Sequence, residues 1–259
     1  MEGISLQEID NVTVCRVESL SDELKGLIRD DLSAICLGRN LVADDAAYYS
    51  YPNTLRKFLE TYDNIAQTQK VGIIGELLSH LLISRHRPDF KIVTLLLNKE
   101  DLQIRKGFDL VYLSDKELWY GESKSGELQQ GTPIQKIGRL LSDAKNGIKQ
   151  YLEGTRTKLW DSAILEASQT LNSDESLTAK ELLRNDTTSL QGGVTIKKNA
   201  LLVPILFNDI SNPIDVDELV RKAQSIADEE VFDNVLVFCI HKSTYTKIVS
   251  FLRSEATRI

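Results

Sequence analysis

The stretch GFDLVYLSDKELWYGESK, residues 107–124, decides how this chain is interpreted. Two apolar segments, 108–113 and 118–123, flank a polar linker that is short enough for a β-hairpin. Side chains two residues apart on a strand share a face, so Glu122 and Lys124 point the same way. If the two segments pair, Asp109 lies beside Glu122. The stretch therefore predicts two carboxylates and a lysine at one edge of a sheet.

The hydrophobic pattern on either side of this stretch predicts an α/β fold. Apolar residues recur with helical spacing over 71–84 and 134–152, and nearly continuous apolar runs at 201–207 and 235–240 are typical of buried strands. Such an order of elements favours a central mixed sheet flanked by helices. Further strands are predicted at 12–17 and 91–97. Further helices are predicted from Ser21, over about 46–66 with an interruption near 51–53, and over 155–185, 216–227 and 244–253.

Two regions are predicted along the chain. Residues 1–68 read as a mainly helical support or partner-docking region, with one short strand at 12–17. Residues 69–259 form the α/β domain, which carries a helical and loop insertion at about 154–198 that ends in a polar surface segment from 184 to 198.

Composition limits the classes of function. The 259 residues carry a formal net charge of −7, which counts against a protein that grips nucleic acid over a broad basic face. Three widely separated cysteines, Cys15, Cys36 and Cys239, predict reduced core thiols. No signal peptide is apparent, and the longest apolar runs are too short to span a bilayer. We therefore expect a cytoplasmic protein without membrane segments.

The predicted carboxylates suit phosphodiester hydrolysis. Oxygen ligands hold Mg²⁺ or Mn²⁺, and such an ion lowers the pKa of a bound water and neutralises charge on the phosphate. A Glu-x-Lys tripeptide means little alone, since Glu23-Leu24-Lys25 is another one on a predicted helix. Asp109 adds weight because a carboxylate inside an apolar strand is costly unless it has a partner. Glu76, on the preceding helix, can pack over the same sheet.

These motifs resemble the PD-(D/E)xK nuclease superfamily, whose core runs helix, three strands, helix, strand. More narrowly, GIIGELL at 72–78, GFDLVY at 107–112 and LWYGESK at 118–124 resemble HamA, the nuclease subunit family of the Hachiman anti-phage system. The resemblance implies a restriction-endonuclease-like core and a DNA nuclease controlled by a helicase partner, HamB. It also implies that Glu76, Asp109 and Glu122 hold Mg²⁺, with Mn²⁺ as a substitute, while Lys124 assists the attacking water. The proline of the superfamily name is absent, since Phe108 precedes Asp109.

Other residues are weaker candidates. Between 121 and 150 five Lys/Arg face three acids, so Lys136 and Arg139 on the predicted helix could contact nucleic acid, as could Gln135, although a solvated helix face gives the same pattern. His241 ends a buried strand, where a structural role is favoured. Two alternatives stay open: an RNase or structure-specific nuclease on the same scaffold, and an inactive nuclease fold that serves as a nucleic-acid-binding or regulatory subunit.

Overall fold

A computed structural model describes residues 1–97, 107–154 and 157–258 of the chain. Within them lie seven strands: β1 (Ile4–Ile9), β2 (Val12–Val17), β3 (Lys91–Ile92), β4 (Leu110–Ser114), β5 (Glu117–Glu127), β6 (Asn199–Phe207) and β7 (Val235–Lys242). The helices are α1 (Asp22–Leu37), α2 (Arg39–Asp44), α3 (Tyr51–Asn64), α4 (Gln67–His86), α5 (Pro133–Glu153), α6 (Thr157–Thr170), α7 (Ser173–Gln191), α8 (Val216–Asp228) and α9 (Thr246–Ala256).

All seven strands form one mixed sheet in the order β1-β2-β7-β6-β5-β4-β3. The inner strands β5, β6, β7 and β2 run parallel, and antiparallel pairs close both edges. The predicted α/β class with a central mixed sheet is confirmed. Among the described residues, none of the helices has both the length and the apolar character needed to cross a membrane.

Helices cover both faces of the sheet, and alternation along the strands sorts the core into two layers. On one face α1, α3, α4 and α9 pack on side chains such as Leu110 and Ile240. On the other face α5, α6, α7 and α8 pack on side chains such as Val111 and Cys239. We call these the α4 layer and the α5 layer. The three cysteines are buried free thiols, as predicted.

The predicted strand at 91–97 is mostly wrong, because only Lys91 and Ile92 pair with β4. The amide of Val93 still donates to the carbonyl of Val111 on β4 at 2.7 Å, but the buried residues that follow turn their amides away from the sheet. The amide of Leu95 donates to Glu166 Oε2 at 3.1 Å, and that of Leu96 donates to the carbonyl of Ile35 at 3.0 Å. Residues of α6 and α1 thus replace β4 as the hydrogen-bond partners of this segment. The pairing of β3 with β4 therefore ends before it reaches Asp109.

The first 68 residues contribute two strands to the same sheet and helices that pack on one of its faces. The predicted strand at 12–17 is confirmed as β2, and it pairs in parallel with β7. Strand β1, which was not predicted from the sequence, covers the outer edge of β2. Helix α1 begins after Ser21, whose side chain accepts from the amide of Leu24, as predicted. The helix predicted over 46–66 begins only at Tyr51.

The predicted insertion packs into the α5 layer. Trp160 of α6 is buried and stacks edge-on against Phe108 and Tyr120. The hydroxyl of Tyr120 donates to Asp186 Oδ2 of α7 at 2.7 Å. Helix α7 extends to Gln191, so the surface loop expected from residue 184 is shorter than predicted. Burial of Leu190 explains the additional turns.

Candidate active site

Asp109 lies one residue before β4 and is tied to the middle residue of the Glu-x-Lys motif. Its Oδ2 accepts from the Ser123 amide at 3.0 Å and from the Ser123 hydroxyl at 3.2 Å. Its own backbone carbonyl accepts from Thr94 at 3.3 Å. The sequence placed Asp109 inside the strand, but the ladder of β4 begins only at Leu110. Asp109 is therefore held by Ser123 and not by regular strand geometry.

Glu122 and Lys124 share the face of β5 that the α5 layer covers. Tyr120, two residues before Glu122, belongs to that layer. The ammonium of Lys124 is paired with Glu122 Oε1. Glu122 is only 2% exposed, whereas part of the Lys124 side chain is open to solvent. The predicted common orientation of the two side chains therefore agrees with the structure.

Helix α5 forms a wall against Glu122. A Cβ on Gly147 would lie 2.8 Å from Oε1 and 2.9 Å from Cδ of Glu122, so only glycine allows this approach. The side chain of Tyr151, one turn later, interacts with Glu122 and lowers its pKa. The charge of Asp143, one turn earlier, acts on Lys124.

The charges in this site do not balance. Burial raises the pKa of Asp109 above its usual value, against the opposing effects of Lys124 and Ser123. Burial and the charge of Asp109 likewise raise the pKa of Glu122. Burial alone would lower the pKa of Lys124, but the charges of Glu122, Asp109 and Asp143 hold it above its usual value. One ammonium thus faces two interacting carboxyl groups, one buried and one half-buried, which leaves negative charge uncompensated when both are ionised.

The residues present fit a small divalent cation. Glu122 Oε2 is buried and has no hydrogen-bond partner among the described residues, an arrangement that is costly unless something positive binds there. Mg²⁺ usually takes one or two carboxylates and keeps several waters. Within the described parts of the chain, no group of three or more His, Cys, Asp or Glu side chains could hold a metal. The carboxylates that the structure brings together here are Asp109 and Glu122.

Glu76 comes from a helix, unlike the other three predicted residues, which lie on or beside strands. It lies on α4, and its neighbour Gly75 packs against Ser125 on the opposite face of β5 from Glu122. The Glu76 carboxylate adds to the effect of burial in raising the pKa of Cys36 on α1. The structure brings Asp109, Glu122 and Lys124 together. The role of Glu76 as a metal ligand stays a prediction.

The three predicted nucleic-acid contacts also separate. The stem of Lys136 lies across Gly126 of β5, where an added Cβ would come within 2.6 Å of Lys136 Cε. Arg139 and Gln135 instead line a groove of about 560 Å³ between α5 and α8. The Gln135 side chain caps α5, since its Oε1 accepts from the amide of Thr132 at 3.1 Å. Of the three, only Lys136 reaches the β5 flank of the helix, where Gly147 meets Glu122.

Sequence reasoning missed the residues that support the carboxylates. Ser123 stands inside the motif, but nothing in a tripeptide shows that its amide and hydroxyl turn to Asp109. Gly147 carried a usable signal, because a glycine in the middle of a strongly amphipathic helix is unfavourable unless a close contact requires it. Asp143 and Tyr151 lie one helical turn before and after Gly147, so the same signal would have pointed to them as neighbours of the site.

The comparisons with known proteins agree with the sequence motifs. The HamA family model matches residues 5–256, nearly the whole chain. A search of curated proteins returns no match. HamA proteins are subunits of the Hachiman anti-phage defence system, and a match of this extent shows that the chain belongs to the HamA family.

Proposed function

We propose that this chain is a divalent-metal-dependent deoxyribonuclease, the effector of a Hachiman complex that a helicase partner controls. One observation carries the proposal: two interacting carboxyl groups, the half-buried Asp109 and the buried Glu122, share a single lysine, and Glu122 Oε2 has no hydrogen-bond partner among the described residues. A structural ion pair needs one carboxylate for one ammonium. The second carboxylate and the unpartnered oxygen are what a cation site requires.

Each side chain has a role that its contacts support. Asp109 and Glu122 would hold Mg²⁺, or Mn²⁺ in its place, and Ser123 keeps Asp109 in position. When bound, such an ion supplies water of lowered pKa and offsets the negative charge that builds on the phosphate. Lys124, partly open to solvent, is placed to orient the attacking water or to donate to a phosphate oxygen. A preorganised donor of this kind contributes on the order of 3–4 kcal/mol to transition-state stabilisation.

The choice of DNA and of a helicase partner rests on the family and on charge. A chain with a net charge of −7 gains little non-specific affinity for a polyanion. A helicase that holds the DNA would supply the grip that this chain lacks and would bring the strand to the carboxylates. Cleavage would then depend on the partner even with every catalytic residue in place.

The test compares Glu122→Ala/Lys124→Ala with a matched control, Glu23→Ala/Lys25→Ala, which removes the second Glu-x-Lys of the chain from the surface of α1. Linear, circular and single-stranded DNA, with RNA alongside, are incubated in Mg²⁺, Mn²⁺ or EDTA, with and without the helicase subunit. We expect metal-dependent DNA cleavage that the control retains and the site variant loses by at least a hundredfold, consistent with the size of such contributions.

The remaining outcomes separate the alternatives. Cleavage that survives Glu122→Ala/Lys124→Ala would remove the proposed site. Cleavage of RNA alone would make the chain a ribonuclease on the same scaffold. Nucleic-acid binding without cleavage under every condition would favour the regulatory subunit. A further variant, Glu76→Gln, tests the fourth predicted residue, because a metal ligand would weaken Mn²⁺ binding when changed and a structural side chain would not.

A further inference from the structure

A second group of polar side chains lies at the carboxyl ends of β2, β6 and β7. Arg16 on β2 is the register partner of His241 on β7, and His241 is the register partner of Leu206 on β6. Asn208 follows directly after the end of β6. By alternation from Cys239 in the core, the His241 side chain points into the α5 layer. Parallel strands thus bring these side chains to one edge of the sheet.

These residues leave buried nitrogens without partners. Among the described residues, Arg16 Nε and Asn208 Nδ2 are buried and make no hydrogen bond. The ring nitrogens of His241 are buried as well, and the imidazole interacts with the backbone of Asn208. His241 is 0% exposed, whereas Arg16 and Asn208 are half-buried. His241 therefore forms the floor of the group and the other two its rim. A buried polar atom without a hydrogen-bond partner is costly, so unpartnered nitrogens that meet at one edge of the sheet indicate a ligand rather than a packing defect.

Contacts with neighbouring residues orient these three side chains and determine their charge. Arg16 Nη2 donates to the carbonyl of Ile210 at 3.0 Å, which orients the guanidinium. Burial and the charge of Arg16 lower the pKa of His241 to about 4, against the opposing effects of the Asn208 backbone and Asp209, so the imidazole is neutral and offers one N–H. Asp209 is exposed, and its Oδ1 accepts from the amide of Ser211 at 2.9 Å. The unpartnered groups are mainly donors beside one fixed positive charge.

We propose that Arg16, Asn208 and His241 form a phosphate-binding site. A phosphate group presents several acceptor oxygens, which match N–H donors from a guanidinium, an amide and an imidazole. Arginine suits this chemistry because its charge is permanent and its donors form a planar fork. Ligands of open α/β sheets bind outside the carboxyl ends of parallel strands, the edge at which these three residues meet.

The position of the site suggests what carries the phosphate. His241 shares its sheet face with Glu122 and Lys124 and stands level with Gly126 of β5 through Leu206, and Lys136 lies across Gly126. A nucleic-acid strand along this edge would place a phosphate other than the scissile one on Arg16. That link to a strand rests on the proposed nuclease function, whereas binding of a phosphate group does not.

The test measures binding of inorganic phosphate to the full chain in metal-free buffer by titration calorimetry at constant ionic strength. Wild type is compared with Arg16→Gln and Asn208→Ala, and with Arg184→Gln as the matched control on the surface of α7. We expect at least a tenfold loss of affinity for Arg16→Gln, a several-fold loss for Asn208→Ala and none for Arg184→Gln. Asn208→Ala removes no hydrogen bond made by Nδ2, so it decides the matter if Arg16→Gln fails to fold.

Two results would overturn the site: wild type that binds no phosphate, or equal affinity for Arg184→Gln and the two site variants. The carrier is identified by competition with a short single-stranded oligodeoxynucleotide, with and without a 5′-phosphate. Competition that Arg16→Gln weakens assigns the site to nucleic acid. Phosphate binding without competition overturns the link to a strand and assigns the site to free phosphate. Because no metal or cleavage is involved, these results do not depend on the nuclease test.

Discussion

At the residue scale, glycine and serine decide where the carboxylates stand. Ser123 ties Asp109 to β5 through two hydrogen bonds, and Gly147 lets α5 come into direct contact with Glu122. Residues of this supporting kind are as important to a metal site as the ligands, and changing one typically costs about 10–100-fold in metal affinity or activity. The Glu-x-Lys motif is therefore only part of the site.

Gly147→Ala is expected to weaken Mn²⁺ binding by about 10-fold or more while the protein stays folded. The new Cβ would lie 2.8 Å from Glu122 Oε1, so the carboxylate must move away from its present position. Electron paramagnetic resonance of Mn²⁺ measures the affinity, and circular dichroism checks the fold. Gly138→Ala on the same helix is the control, because its Cβ would meet only the flexible stem of Lys222, at 3.3 Å. Equal affinity for both variants would show that α5 does not position Glu122.

At the element scale, close packing of α4 on β5 sets the geometry of the sheet below the site. Gly75 faces Ser125 and Ile205, where an added Cβ would lie 2.9 Å from Ile205 Cδ1 and 3.0 Å from Ser125 Cβ. Gly72, one turn earlier on the same helix, has nothing within 4 Å of its added Cβ. A side chain at Gly75 would meet close neighbours, whereas one at Gly72 would not, so the two positions can be compared within one helix.

Gly75→Ala is expected to destabilise the protein by about 1–3 kcal/mol, because the methyl group forces α4 away from β5. Gly72→Ala is expected to stabilise it by about 0.5–1 kcal/mol, because alanine loses less backbone entropy in a helix. Urea denaturation followed by circular dichroism gives both changes in the free energy of unfolding. A Gly75→Ala protein as stable as the Gly72→Ala protein would contradict the close contact between the helix and the strand.

At the scale of the whole molecule, one sheet crosses the predicted boundary at residue 68. Strand β2 lies between β1 and β7, and buried residues of α1 and α3, among them Leu24, Ile28 and Phe58, belong to the α4 layer. Removing the first 68 residues would expose the edge of β7 and one face of the core. A separate support region could be removed without exposing the core of the α/β domain. Here β1, β2, α1 and α3 contribute to that sheet and its core.

A shortened chain of residues 69–259 is therefore expected not to fold cooperatively. Thermal unfolding followed by circular dichroism would show no sharp transition, while the full chain unfolds in one. The physical reason is the loss of paired strands and buried apolar area together, which a domain of this size does not tolerate. A sharp transition with native-like helix content in the shortened chain would restore the two-region organisation predicted from sequence.

The sequence by itself determined the α/β class, the strands β2, β5, β6 and β7, most helices and the orientation of Glu122 with Lys124. These follow from periodicity, which depends only on local geometry and on which side chains avoid water. Tertiary structure decided the rest: β1, the early end of β3, the placement of α4 on the opposite side of β5 from Glu122, and the contacts of Ser123, Gly147 and Arg16. Each of these depends on which segments, distant in sequence, meet in space, and no local pattern of side chains encodes that meeting.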